Sequence, residues 1–298
     1  MRLTIAVLFG IFLLAPELLR SEWINRPVIN IYLQPQEDAE VDSQAIYGDF
    51  VEVLQQFPGW SKLKMRDGVI GWALSSYLVC NPSFDEGGRL RPVQNLFAHV
   101  YRTSDVSSFP PLLTLPFGAK VKLDVGAETA ERWVPIELVS GEKAWMQRGD
   151  IDFSPRRKVL KEVLSLSKRF LGLPYTWGGT SSYGFDCSGF VQMLFKEMGL
   201  VLPRNARDQA CCPFFIPVEG EDFLPGDLLF FGEKTIEHVG LYLGQGKFIH
   251  GAVLGNPVVM ISRLEDRRPF LLAARRIDPP MVDIYSNSSK EISSGGNF

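Results

Sequence analysis

Residues 175–190, YTWGGTSSYGFDCSGF, gather glycines, aromatics and a single acid around one cysteine, Cys187. After it, Phe190, Val191, Leu194, Phe195 and Met198 recur at helical spacing, which predicts an amphipathic helix ending at Gly199. Cys187 then falls in or just before the first turn, with Asp186 as N-cap. Unpaired amides at a helix start favour thiolate over thiol and predict a lowered pKa, and the same amides can hold an oxyanion beside the sulfur. The glycines upstream let backbone pass close to a bound substrate. A lone cysteine is ordinarily a buried apolar residue, but the polar neighbours Asp186 and Ser188 favour an accessible thiol.

A nucleophile needs a base, and the chain has three histidines. His99 lies in the β-like stretch FAHVYRTS and reads as structural or solvent-facing. His238 and His250 lie in EHVGLYLGQGKFIHG, which reads as two strands joined at GQG and preceded by a third in PGDLLFFG. A three-residue loop at 244–246 pairs Leu243 with Lys247 and Gly240 with His250, so His238 shares a face with His250 as its diagonal neighbour. An even-length loop sends the two rings to opposite faces. On one face they read as a base and its orienting partner. A metal site of Cys187, His238 and His250 is the alternative, without a close-spaced ligand pair to support it.

Upstream of this region the chain repeats itself. Trp60, Gly68, Trp72 and Leu78 have the same spacing as Trp133, Gly141, Trp145 and Ile151, and Gly48 and Val51 correspond to Gly118 and Val121. Within the first copy FVEVLQQFPGWSKLKM alternates apolar and polar residues on both sides of Pro58-Gly59, the pattern of short strands in a small β-barrel. NPSFDEGGRLRP (81–92) reads as a linker between the copies, and SPRRK (154–158) as the entry to the next domain.

At 298 residues, with 46% hydrophobic and 22% charged, the chain suits two or three globular domains. A net charge of −3 and the lack of basic runs argue against nucleic acid as partner. The N-terminus, MRLTIAVLFGIFLLAPELLRSEW, has an apolar core too short to span a bilayer and of signal-peptide length, without a clear small-x-small cleavage site; a buried helix is the alternative. No lipid-anchoring cysteine lies in it. Cys80, Cys187, Cys211 and Cys212 lack metal-site spacing, and Cys211 and Cys212 read as small, partly buried apolar residues. The Ser/Gly/Asn-rich C-terminus reads as a disordered tail.

Taken in order, YTWGG, FDCSGF, LPRNARDQ, LPGDLLFF and HVGLYLGQGKFIH resemble the NlpC/P60 family of papain-like cysteine peptidases, and the repeated copies resemble bacterial SH3 domains. The resemblance implies an α+β fold: a papain-like catalytic domain preceded by two small SH3-like β-barrels. The expected divisions are 1–22 signal peptide, 23–82 first barrel, 90–153 second barrel, 155–278 peptidase and 279–298 tail. The two-barrel layout resembles family members that act as γ-D-glutamyl–diamino-acid endopeptidases on peptidoglycan stem peptides, L-Ala-γ-D-Glu-diaminopimelate, with no cofactor or metal. It implies Cys187 as nucleophile, His238 as base and acid, and His250 as orienter. Tyr175 stands beside the thiol, Trp177 lines the pocket, and Asp186 and Ser188 meet a free L-Ala amine. An acid and a tyrosine of the first barrel are implied near that amine, with Asp42 and Tyr47 as candidates. The family's LPR-Ser/Thr is LPRNA here, which puts contacts from that loop in question. Competing expectations are a non-catalytic wall-binding protein and a thiol amidase or acyltransferase. The leader implies a periplasmic or secreted protein without a stable membrane span; recycling of small peptides suits the cytoplasm.

Overall fold

The computed structural model describes residues 20–126, 132–253 and 255–278. The expected tail lies outside the described residues, as does the expected leader up to residue 19. The first sheet comprises β1 (Arg20–Ile24), β2 (Val28–Tyr32), β3 (Val41–Ile46), β4 (Phe50–Phe57), β5 (Trp60–Lys64), β6 (Ile70–Leu74) and β7 (Leu78–Val79), in the order β3-β2-β6-β5-β4-β1-β7. Arg20, Ser21 and Glu22 already pair with Val53, Glu52 and Val51. The barrel therefore includes three residues expected to precede it, because they extend an antiparallel ladder.

The second sheet comprises β8 (Leu90–Pro92), β9 (Phe97–Tyr101), β10 (Leu113–Pro116), β11 (Lys120–Leu123), β12 (Trp133–Glu137) and β13 (Lys143–Gln147), in the order β10-β9-β13-β12-β11-β8. Strand for strand this repeats the first order from β3 to β1. Trp60 and Trp133 open β5 and β12, and the matched turn glycines Gly68 and Gly141 hold φ of 90° and 86°, which side chains resist. The expected linker is not free chain. Phe84 is buried in the second core with its ring 5.1 Å from that of Trp23, and Leu90–Pro92 forms β8.

The remaining elements are α1 (Leu160–Ser167), β14 (Thr180–Ser181), β15 (Gly184–Phe185), α2 (Cys187–Lys196), α3 (Ala206–Ala210), β16 (Phe215–Pro217), β17 (Leu228–Phe231), β18 (His238–Gly244), β19 (Lys247–Gly251), β20 (Val259–Arg263) and β21 (Leu271–Ile277). The last six strands form one antiparallel sheet, β16-β21-β17-β18-β19-β20. Phe190, Val191, Leu194 and Phe195 of α2 are fully buried against this sheet through Phe230, Val239, Leu241 and Ile249. At about 1.5–3 kcal/mol for each large apolar side chain, this packing anchors the helix. The helix stops at Lys196, three residues before the expected end, and Gly199, with φ of 83°, lies in the turn that follows.

The β14–β15 hairpin is held by both barrels. Thr180 Oγ1 donates to Gln44 O of β3 (3.1 Å), while Ser182 Oγ accepts from Phe117 N of the second barrel (3.1 Å). Where the three bodies meet, a cavity of about 340 Å3 lies between Ile46, Phe117, Met193 and the ion-paired Asp49 and Lys196. Cys187, His238 and His250 do not line it. No helix of the described residues is long and apolar enough to cross a membrane.

Candidate active site

Cys187 is the first residue of α2, and the Asp186 side chain caps the helix by accepting from Gly189 N at 2.7 Å. The glycines around the thiol allow close packing within the protein. A Cβ on Gly189 would lie 2.1 Å from Gly179 O, and one on Gly178 2.7 Å from Val41 Cγ1. They let the chain pack on itself and on β3, and so bring the helix start up to the loop.

The histidine hairpin has the expected pairing with a different turn. Leu241 faces Ile249 and Tyr242 faces Phe248, but Gly244, not Leu243, pairs with Lys247. The turn is two residues, Gln245 and Gly246, both at positive φ, and Leu243 is bulged out. An even loop plus one bulged residue keeps the register of an odd loop, so the rings remain on one face. His238 Nε2 and His250 Nδ1 are 2.7 Å apart, with ring planes at 86°. His250 Nε2 lies 2.9 Å from Ser262 Oγ on β20. Gly240, two residues after His238, has no room for a side chain: a Cβ would lie 2.5 Å from the Phe248 ring and 3.3 Å from His250 Cβ.

Cys187 is 7% exposed. Its Sγ lies 4.0 Å from Glu237 O and accepts the Val239 amide, which sets it against the backbone on both sides of His238. The thiol is not acidic as expected: burial, then the Asp186 charge, push it up to about 11 against the opposing Val239 and Ser188 amides and Arg204. Burial, with Arg267 adding to it, lowers His238 to about 4; burial, His238 and Arg267 lower His250 to about 3. The resting pair is thiol and neutral imidazole. Tyr175 is half-buried beside them, its phenol pushed up by burial and then by the Cys187 and Asp186 charges, so it remains a donor.

Asp186 is not free to meet an amine. Arg204 grips both its oxygens, through Nη1 to Oδ1 at 3.1 Å and Nη2 to Oδ2, and donates to Ser188 Oγ at 2.9 Å. Asp42, by contrast, has no hydrogen bond or ion pair among the described residues. Burial raises its carboxyl, Arg204 lowers it, and Asp67, Glu40 and Asp186 raise it, which places it within the field of the Asp186–Arg204 pair. Tyr47 is elsewhere: it is 2% exposed in the inter-barrel core, and its hydroxyl accepts from Val139 N at 2.8 Å. That assignment is corrected, because Tyr47, just past the end of β3, packs on the second barrel. Trp177 is 64% exposed, with its ring in solvent. The structure thus sets Cys187, flanked by Asp186 and Ser188, against the backbone on both sides of His238, joins His238 to His250, and puts Tyr175 within reach of the thiol's charge, with Asp42 near the Asp186–Arg204 pair.

His99 is exposed, 2.9 Å from Thr114 Oγ1, and all four cysteines are free thiols; Cys212 is buried, whereas Cys211 is exposed and not partly buried as expected. Sequence reasoning missed Arg204, Ser43, Gln209 and Ser262. Arg204 and Gln209 lie in the quoted LPRNARDQ, where attention fell on the exposed Asn205. Gln209 is fully buried and donates to Ser188 O at 3.0 Å. Ser262 gave no signal, because its value depends on the register of β20.

Comparison with known proteins adds a consistent picture. The NlpC/P60 family pattern matches residues 172–268, and that of the bacterial dipeptidyl-peptidase Sh3 domain matches residues 31–78. The chain is 29% identical over 268 residues to a gamma-D-glutamyl-L-lysine dipeptidyl-peptidase of Bacillus subtilis, covering 85% of this chain and 86% of that protein. It is 35% identical over 130 residues to the murein DD-endopeptidase MepH of Escherichia coli, covering 42% and 48%. The crystal structure of an NlpC/P60 family protein from Bacillus cereus superposes with a TM-score of 0.76 at 22% identity, over 87% of this chain and all of that one, which is a likeness of fold.

Proposed function

With an NlpC/P60 domain at 172–268 behind a bacterial SH3 domain at 31–78, the chain is a peptidase, and we propose that it cleaves the γ-D-Glu–diaminopimelate bond of peptidoglycan stem peptides bearing a free N-terminal L-Ala. The observation carrying this reading is the 2.7 Å bond between His238 Nε2 and His250 Nδ1, with Cys187 lodged against the backbone around His238. That bond leaves His238 Nδ1 for the thiol.

Because the pair rests neutral, the proton moves during attack. Cys187 Sγ gives its proton to His238 and forms a bond to the γ-carbonyl carbon of D-Glu. The Cys187 amide, which has no acceptor among the described residues, and the Tyr175 hydroxyl are the donors for the oxyanion. The C–N bond then breaks as His238 returns the proton to the leaving amine. Water, deprotonated by His238, hydrolyses the thioester, and the thiol regains its proton. His250, held by Ser262, fixes the imidazole that serves both steps.

Asp42 is the carboxylate we assign to the L-Ala amine, since Asp186 is engaged by Arg204. An acetylated N-terminus then strands a half-buried acid and lowers turnover. We place the enzyme outside the cytoplasm, carried there by the N-terminal leader. The test is product analysis by mass spectrometry on L-Ala-γ-D-Glu-diaminopimelate, free or acetylated at L-Ala. Release of L-Ala-D-Glu from the free peptide, abolished by Cys187→Ala, is expected; equal turnover of both peptides rules out amine recognition. Asp42→Asn is expected to raise KM about tenfold or more, the worth of a charge-assisted hydrogen bond.

A further inference from the structure

Arg204 is buried, and three of its four side-chain hydrogen bonds go to the start of the nucleophile helix while the fourth goes to the first barrel. Nη1 reaches Asp186 Oδ1 at 3.1 Å and Ser188 Oγ at 2.9 Å, Nη2 reaches Asp186 Oδ2, and Nε reaches Ser43 Oγ on β3 at 3.1 Å. Asp186 and Ser188 are the two residues flanking Cys187, and Ser43 belongs to the first barrel, 161 residues away in sequence from Arg204. We propose that Arg204 is a positioning residue through which the first barrel orients Cys187 and offsets the negative charge of its N-cap. This rests on Cys187 being the nucleophile.

Two features support the assignment. A guanidinium holds a carboxylate in a planar fork that an ammonium does not reproduce, so the grip fixes direction as well as charge. The carboxylate it holds abuts the thiol and works against the thiolate, while Arg204 works for it. The other charged or titratable groups around this helix start are Tyr175 from the loop before β14, which feels the Cys187 charge, Asp42 from β3, which feels Asp186 and Arg204, and His238 and His250 from the hairpin packed on α2, with Arg267 acting on both histidines. Arg204 is the cation among them whose contacts bracket Cys187 on both sides.

The experiment reads kcat and KM on the free peptide together with alkylation of Cys187 by iodoacetamide, resolved from the other thiols by peptide mass spectrometry. Arg204→Gln leaves Asp186 unopposed: alkylation at about pH 8 is expected to slow about tenfold, and kcat to fall about thirtyfold with KM within about threefold. Asp186→Asn in the same chain keeps an N-cap but removes the charge, and is expected to restore the alkylation rate without restoring kcat. Arg204→Lys is expected to keep the alkylation rate and still lose kcat, because the fork is gone. Ser43→Ala loses one bond, and a fall in kcat of about threefold is expected with the unfolding midpoint unchanged within error. Parental alkylation and kcat in a folded Arg204→Gln protein overturn the proposal; if that variant does not fold, parental kcat in both Arg204→Lys and Ser43→Ala overturns it. Alkylation is measured without substrate, so a Cys187→Ala enzyme that still turns over would defeat the nucleophile assignment separately.

Discussion

At the scale of single residues, burial holds the thiol and both imidazoles in their uncharged forms beside the charged Asp186–Arg204 pair. His238 near 4 and His250 near 3 lie below the ordinary histidine value, first because burial penalises the imidazolium. Unfolding restores ordinary values, so between about pH 6.5 and 4 the unfolded chain binds the extra protons. Stability therefore falls as pH drops through that window, by about 1.4 kcal/mol per pH unit for each excess proton. Urea denaturation at about pH 7 and pH 5 checks this against a His238→Asn/His250→Asn protein, whose slope is expected to be shallower. Ser262 acts only through His250. Ser262→Ala is expected to lower kcat about three- to tenfold with KM unchanged, the cost of a loosened orienter; an unaltered kcat would show that the inter-strand packing alone holds the ring.

At the scale of elements, a hairpin and a helix start bring the reactants together. The β18–β19 hairpin places both rings on one face through its register, and the Leu243 bulge corrects for a two-residue turn. Gly240 gives the rings their space. Gly240→Ala drives a methyl into Phe248 and toward His250 Cβ, 3.3 Å away. An expected destabilisation of about 1–3 kcal/mol is measurable by thermal unfolding, with a fall in kcat as His250 shifts. The register was readable from the GQG loop and not from the apolar pattern, since β18 and β19 are buried on both faces. The bulge was not, because one extra residue leaves no mark on the hydrophobic pattern.

At the scale of the whole molecule, the barrels are part of the site's framework. The β14–β15 hairpin that feeds Cys187 is fastened to β3 at Thr180 and to the second barrel at Ser182 and at Tyr183, whose hydroxyl donates to Thr114 O. The barrels are joined to each other through Tyr47 and Val139. Tyr47→Phe leaves the buried Val139 amide without its acceptor and is expected to cost about 1–3 kcal/mol in unfolding free energy while kcat and KM stay at parental values. A rise in KM without loss of stability would return Tyr47 to the substrate pocket.

What the sequence determined alone was local and periodic: the apolar stripe of α2, the Asp186 cap, the Trp-Gly-Trp repeat that became two sheets of one strand order, and the face shared by His238 and His250. Such features follow from 3.6- and 2-residue periods and from a helix end's need for a cap, which neighbours along the chain impose. Only the tertiary structure decided which carboxylate is engaged and which is open, that Tyr47 joins the barrels, that Ser43 reaches Arg204, and that burial outweighs the helix amides at Cys187. Those outcomes depend on the solvent excluded and the charges brought close by segments far apart in sequence, and no local pattern encodes either.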